Sequence, residues 1–170
     1  MFLKDYYPNL NVKYSKIKFK GISFNSIIAK KDYIFFAIKG NKFDGNKFIN
    51  KAIAKGSKIV IAQNCKEGVI DDVLYLKHKN PRKLLAEFSV KIFNKKPKNL
   101  IAVTGTNGKS SIVGFYYQIL KLNKKKVASI GTLGVEGMQF KKKILNTTAD
   151  PVLLNALLQN LSKKRINNVI

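Results

Sequence analysis

Apolar residues along this chain fall into short unbroken runs that alternate with stretches where they recur every three or four positions. That is the pattern of buried strands interleaved with amphipathic helices. Tyr33 to Ile38, YIFFAI, follows a Lys-Lys-Asp turn and predicts a strand. Asp44 to Lys55 predicts a helix that starts at Asp44, places Phe48, Ile49, Ala52 and Ile53 on one face, and ends at Gly56. Lys58 to Ala62 and Val73 to Leu76 predict two more strands. Asn80-Pro81 then opens a helix through Phe93, because proline's missing N–H costs nothing at the first helical position. The buried stripe of that helix is expected to be Leu84, Leu85, Phe88 and Ile92.

Asn94 to Asn99, NKKPKN, is polar, charged and proline-containing, and marks a domain boundary. Beyond it, Leu100 to Val103 predicts a strand, and Lys109 to Leu122 a helix with Ile112, Val113, Tyr116, Ile119 and Leu120 on one face. Lys126 to Ile130 predicts a second strand, ending in Gly131-Thr132. Asp150-Pro151 opens a helix carrying Val152, Leu153, Ala156, Leu157 and Leu161, and Ile166 to Ile170 reads as a third strand barely begun. The expected fold is α/β: a small N-terminal α/β domain over residues 1–95, then the incomplete start of a doubly wound, mostly parallel P-loop ATPase domain over 96–170. About 75 residues seldom close such a core alone, so the polypeptide is expected to be the front piece of a longer protein.

The turn between the first strand and helix of this second part carries the chemistry. Ile101 to Ser111 reads IAVTGTNGKSS, an apolar run leading into a Gly-rich turn that ends in Gly-Lys-Ser. Gly105 and Gly108 have no side chain to block a close approach, so the turn's N–H groups can close on phosphate oxygens at the positive end of the helix dipole. In that setting Lys109 is expected to reach the β/γ-phosphates of a nucleoside triphosphate, with Thr106, Asn107 and Ser111 completing the loop. The Ser110 hydroxyl is expected to face the Mg²⁺ that bridges the phosphates. One departure narrows the reading: the position five residues before Gly108, a glycine in the standard loop, is Val103.

Composition removes other chemistries. Cys65 is the one cysteine and His78 the one histidine, which excludes disulfide frameworks, thiolate zinc sites, catalytic triads and multi-histidine metal sites from this stretch. His78 is expected to be exposed. The formal charge of +24 invites a nucleic-acid reading, but 31 of the 33 basic residues are lysine, scattered over every segment. Base reading and bidentate phosphate clamping favour arginine, and only Arg82 and Arg165 are present. The excess reads as solvated surface, with salt-sensitive nucleic-acid adhesion and no specific nucleic-acid partner. No apolar run approaches the roughly 20 residues of a membrane span, and MFLKDYYPNL lacks the apolar core of a secretory signal. A cytoplasmic protein without membrane insertion is expected.

The short loop Thr104 to Ser110, TGTNGKS, resembles that of the Mur ligase family and its folylpolyglutamate synthetase relatives. The resemblance extends over nearly the whole chain. Phe24-Asn25-Ser26, Ile34 to Ile38, Gly40 to Gly45 and Phe48-Ile49 are similar to the N-terminal domain of the MurE and MurF branches, which typically reads DSR, LFVALKG, DG and FI. In the family that domain grips the uridine diphosphate end of a muramoyl substrate. The resemblance therefore implies that Phe24 and Ser26 touch the uracil side and that Asn41, Lys42 and Phe43 line the same pocket. Where the family has Asp-Ser-Arg this chain has Asn25-Ser26-Ile27, so both charges are gone.

Asn146-Thr147-Thr148, before Asp150-Pro151, resembles the turn that in the MurE branch holds the muramoyl-peptide substrate; helix capping by Thr148 and Asp150 is the structural alternative. The implied activity is an ATP-dependent amide ligase of peptidoglycan precursor synthesis. It would add meso-diaminopimelate or lysine to UDP-N-acetylmuramoyl-L-alanyl-D-glutamate through an acyl phosphate, with ATP and Mg²⁺ as cofactors, acting as a monomer at full length. In the family the Mg²⁺-binding glutamate and histidine, a carbamylated lysine and the domain that selects the amino acid lie beyond the matched region, so these 170 residues are expected to show no turnover. A MurF-type ligase and a non-catalytic nucleotide- or nucleic-acid-binding protein are the rival readings.

Overall fold

The computed structural model describes residues 1–40, 43–131, 134–137, 140–142 and 150–170. The chain divides into two units, Met1–Ile92 and Phe93–Ile170.

The first unit is built on a five-stranded sheet. Strands β1 (Gly21–Ser23), β2 (Tyr33–Ala37) and β3 (Ile59–Ala62) run parallel, as does β5 (Val73–Lys77), and β4 (Gly68–Ile70) closes one edge antiparallel to β5. Their spatial order is β1-β2-β3-β5-β4. Successive side chains of a strand point to opposite faces, and β2 is apolar on both because both are covered. Phe35 and Ala37 pack in one cluster with Ala29, Ala52 and Ala62, edged by Ile49 and Cys65, under helix α1 (Ile49–Ala54). Phe36 meets Phe88 of helix α2 (Pro81–Ile92) edge-on with ring centroids 5.4 Å apart, and Phe88 also packs on Phe19 and Tyr6.

The helix expected from Asp44 to Lys55 is broken in two. Asp44 accepts the Asn46 N–H and starts a 3-10 turn over Gly45–Phe48, and only Ile49–Ala54 is α-helical. The reason is Gly45, which lies so close to β2's continuation that a Cβ there would sit 2.5 Å from the Ile38 nitrogen. The tight approach bends the chain and leaves Phe48 outside the buried stripe.

Among the described residues four strands were not anticipated, two in this unit and an antiparallel pair in the next. β1 is three residues long, and its Gly21 leaves room for the Tyr33 ring. β4 pairs with β5 through Asp71-Asp72, both at positive φ, in a two-residue hairpin turn. In the second unit β6 (Asn99–Leu100) leads into the Gly-rich loop and helix α3 (Lys109–Leu122). Strand β7 (Val127–Gly131) then pairs antiparallel with β8 (Gly134–Gly137), which pairs with β9 (Phe140–Lys142). Helix α4 (Pro151–Lys163) returns the chain to β10 (Asn168–Val169).

The order in this sheet is β6-β10-β7-β8-β9, so the late strand β10 lies between the two earlier parallel strands rather than beyond them. Asn168 fixes this insertion: its side chain accepts from Asn99 at 2.8 Å and donates to the Lys126 carbonyl at 3.0 Å. Ala128, Leu158, Leu161, Ile166 and Val169 form the core beneath α4.

The apolar face expected on α3 is split. Val113, Tyr116 and Leu120 are half-buried, but Ile112 and Ile119 join Phe115 and Leu122 on an exposed stripe. α3 is apolar on more than one side, and the sheet supplies a surface for one side only, through contacts with β7.

Candidate functional site

Two places gather the residues singled out from sequence, one in each unit. In the first unit a cavity of about 850 Å³ is lined by Phe24, Ser26, Phe43, Phe48, Lys51 and Arg82, with Asn25, Ile27, Lys39 and glycines around them. Its size is that of a site for a nucleotide or drug-sized ligand. Phe24, Ser26 and Phe43 are brought together here; Asn41 and Lys42 lie outside the described residues.

The floor of this cavity is a turn held by its own side chains. Ser23, fully buried, donates from Oγ to the Asn25 carbonyl at 2.7 Å and accepts the Asn25 N–H, while Asn25 Oδ1 accepts from Ile27 N at 2.8 Å. An asparagine oxygen is sufficient for that Asx turn. The missing acidic charge at this position therefore leaves the turn's geometry intact. Ser26 is itself buried, and the Lys55 ammonium donates to the Ile27 carbonyl, tying the turn to the end of α1.

The opposite wall is the loop after β2. Gly40 donates its N–H to the Phe43 carbonyl at 2.8 Å and Gly45 to the Ile38 carbonyl at 3.0 Å, a tight reversal that leaves Phe43 72% exposed. Asp44 is spent on this loop: hydrogen bonds from the Asn46 backbone and side chain hold its carboxyl below the usual range. No carboxylate lines the cavity among the described residues, whereas Lys39, Lys51 and Arg82 do. These three cations escaped the sequence reading, which named Ile27 and Phe48 only within family-like segments and not as cavity residues. The available signal was Arg82, one of two arginines in a chain of lysines.

His78 and Cys65 are structural. His78 is half-buried rather than exposed: its ring stands edge-on to Tyr7 at 6.1 Å, and its Nδ1 accepts from the Asn80 N–H at 3.2 Å, just before α2. Burial pushes the Cys65 thiol up, away from the reactive thiolate, and the nearby Glu67 adds to this.

The second place is the Gly-rich loop. Gly108 has φ +77°, a left-handed conformation that suits glycine, and α3 begins at the next residue. Ile112 N is bonded to the Gly108 carbonyl at 3.0 Å. The N–H groups of Lys109, Ser110 and Ser111 precede the first intrahelical donor, and such groups are the natural partners of an anion. A Cβ added at Gly108 would meet nothing within 4 Å, so the space beside this backbone is open. Lys109 folds over the loop and donates from Nζ to the Gly105 carbonyl and, at 3.1 Å, to the Thr106 carbonyl. These are hydrogen bonds that an anion can displace. Thr106, Asn107, Ser110 and Ser111 are all exposed around it.

Of the second turn singled out from sequence, Asn146, Thr147 and Thr148 lie outside the described residues, as does Thr132. Asp150 caps α4, accepting from Val152 N at 3.0 Å and Leu153 N at 2.9 Å. Among the described residues no group of three or more His, Cys, Asp or Glu side chains is placed to hold a metal ion.

Comparison with known proteins agrees in extent with both units. Residues 18–91 match the Mur ligase family, catalytic domain, and residues 103–170 match the Mur ligase middle domain. The UDP-N-acetylmuramoyl-L-alanyl-D-glutamate–2,6-diaminopimelate ligase of Rickettsia prowazekii is 48% identical over 128 residues, covering 75% of this chain and 26% of that protein. The ligase of the same name from Rickettsia montanensis is 43% identical over 166 residues, covering 95% of this chain and 34% of its own length. The chain thus spans about a quarter to a third of these relatives. A solved structure of a ligase of that name shares the fold, with a TM-score of 0.78 at 22% identity over 99% of this chain and 35% of the other.

Proposed function

The chain belongs to the Mur ligase family, and from that premise we propose that it carries the nucleotide-handling front portion of an ATP-dependent amide ligase of peptidoglycan precursor synthesis. The reaction is addition of a diamino acid to UDP-N-acetylmuramoyl-L-alanyl-D-glutamate, the activity in the names of both Rickettsia relatives. Under this reading the full-length protein works in the cytoplasm as a monomer, with no specific nucleic-acid partner and no membrane insertion; no described helix is long and apolar enough to cross a membrane.

The residues divide the work by unit. Phe24, Ser26 and Phe43, with Asn41 and Lys42, hold the uridine diphosphate end of the substrate. Aromatic faces suit the uracil ring, and hydroxyl and amide groups suit its polar edge. Asn146, Thr147 and Thr148 hold the peptide portion.

In the second unit the amides from Gly105 to Ser111 surround the triphosphate, and Lys109 leaves its own loop carbonyls for the β/γ-phosphates. Ser110 would be the residue that holds a Mg²⁺ arriving with ATP, and that ion would neutralise phosphate charge. ATP supplies the phosphoryl group that turns the substrate's carboxylate into an acyl phosphate with a good leaving group. The protein's part is positioning and neutralisation of charge.

The observation that carries this reading is the left-handed Gly108 placed directly before α3 within TGTNGKS, with open space beside its backbone. The test is calorimetric titration of Mg·ATP into the chain and into Lys109→Ala. Wild type is expected to bind, and K109A to lose at least tenfold in affinity; equal affinity for the two would contradict the assignment. The 170 residues by themselves are expected to form no amide bond, and measurable turnover would overturn that part of the reading.

A further inference from the structure

Arg82 borders two cationic cavities that differ in their walls. The larger, described above, is walled by Phe24, Ile27, Phe43 and Phe48. The smaller, about 390 Å³, has no aromatic residue and no carboxylate among the described residues; Lys39, Asn46, Asn64, Lys79 and Arg82 line it. It sits at the carboxyl ends of three parallel strands: Ala37 is the last residue of β2, Gln63 and Asn64 follow β3, and Lys79 lies two residues past β5. Parallel α/β sheets hold their ligands at that end. The two cavities share Ile38, Lys39 and Arg82.

The position of the guanidinium makes it the link. A Cβ added at Gly40 would lie 3.9 Å from Arg82 Nη2 and 3.3 Å from the Phe43 carbonyl, so the guanidinium stands against the loop that carries Phe43. Arg82 and Lys83 also occupy the first turn of α2, where no acidic residue is present and the helix dipole disfavours cations. Lys83 is offset by Glu87 at 3.9 Å. Arg82 has no ion-pair partner among the described residues, and the loop's carboxylate, Asp44, is turned to Asn46. A cavity with aromatic walls, joined along Lys39 and Arg82 to a smaller one lined by cations and amides, matches a ligand with a flat ring at one end and a polyanion at the other.

We propose that Arg82 is the residue that reads the diphosphate of the nucleotide. The ring lies in the larger cavity, the planar fork of Arg82 takes two phosphate oxygens at the shared wall, and Lys39 and Lys79 supply charge from the smaller cavity. This rests on the reading of the first unit as a uridine diphosphate site. It goes further by assigning the phosphate selectivity of that site to one side chain and by giving the second cavity a purpose. Arginine rather than lysine matters because its planar guanidinium presents two parallel N–H donors in a fixed fork, whereas an ammonium is a point charge on a flexible stem.

The experiment is calorimetric titration of the chain with UDP and with uridine, using wild type, Arg82→Ala and Arg82→Lys, with inorganic pyrophosphate as competitor. Wild type is expected to prefer UDP to uridine by at least tenfold. R82A is expected to lose ten- to a hundredfold in UDP affinity, to keep its uridine affinity, and to lose competition by pyrophosphate; R82K is expected to recover less than half of that loss on a logarithmic scale. Unchanged uridine binding certifies that the variants are folded. UDP binding that R82A leaves intact, or an equal loss for UDP and uridine, overturns the inference alone. Failure of wild type to bind UDP at all overturns both the inference and the reading beneath it.

Discussion

Tyr33–Ala37 and Leu100–Val103 are both short apolar runs that enter parallel sheets, yet they meet different fates. Ile34, Phe35 and Phe36 are fully buried, whereas Leu100 and Ile101 are 52% and 36% exposed. β2 has hydrogen-bonded neighbours on both sides, β1 and β3, and a packed layer on each face. Among the described residues β6 is bonded to β10 alone. The helices repeat the contrast: α2 buries Leu84, Leu85 and Phe88, while α3 buries no residue and leaves Phe115 65% and Leu122 82% exposed. Apolar pattern specifies which element forms. How much that element contributes to stability depends on how many layers the surrounding chain places over it.

The contrast can be broken by substitutions read in urea denaturation, with each unit followed by its own probe because two units need not unfold together. Phe36→Ala should have the largest effect, about 3–5 kcal/mol, because it empties the space between β2 and Phe88. Leu158→Ala, in the core beneath α4, should cost about 2–4 kcal/mol, showing that the second unit has a core where α4 covers it. Phe115→Ala in α3 should stay within about 0.5 kcal/mol; a loss above about 1 kcal/mol would mean that the exposed stripe is packed in solution and the comparison is wrong.

Tyr7 sharpens the picture of the first unit. Its hydroxyl donates to the Lys77 carbonyl at 2.6 Å, and burial, with Glu67 and Cys65 nearby, pushes its pKa up to about 12. A raised folded-state value means that the fold favours the protonated phenol. The stability this supplies is complete below the unfolded value of about 10 and is lost as pH rises towards about 12. Tyr7→Phe should cost about 1 kcal/mol at neutral pH, and the difference between the two proteins should shrink across that alkaline window. A difference independent of pH would contradict the origin assigned here. The smallest effect should be a gain: Asp72→Gly relieves a positive φ in the β4–β5 turn and should stabilise by a few tenths of a kcal/mol.

Much of the fold was legible because its strongest signals are local. The runs at β2, β3 and β5, the Asn80-Pro81 start of α2, the Asp150-Pro151 start of α4 and the polar NKKPKN stretch each announce themselves within a few residues. What was missed depends on distant partners. β1 is a strand only because Tyr33 and its neighbours offer an edge, and β10 inserts between β6 and β7 through the Asn99, Asn168 and Lys126 contacts. β4 did have a local cue, two apolar segments separated by Asp71-Asp72, a pairing that also tolerates the left-handed turn.

The Gly-rich loop was legible for the same local reason, since its glycines and its lysine are contiguous. The first unit's cavity was legible only in part: Phe24, Ser26 and Phe43 come from two neighbouring loops. Lys51 and Arg82 reach it from helices whose placement no short pattern encodes.

The central claim is that two separable nucleotide sites stand on the two units, and one set of titrations tests it most directly. UDP and Mg·ATP are titrated into the wild-type chain, Phe43→Ala and Lys109→Ala. The expected result is one site for each ligand in wild type, with F43A losing UDP affinity alone and K109A losing ATP affinity alone. Binding of both ligands abolished by the same variant, or no binding of either ligand to the wild-type chain, would contradict it.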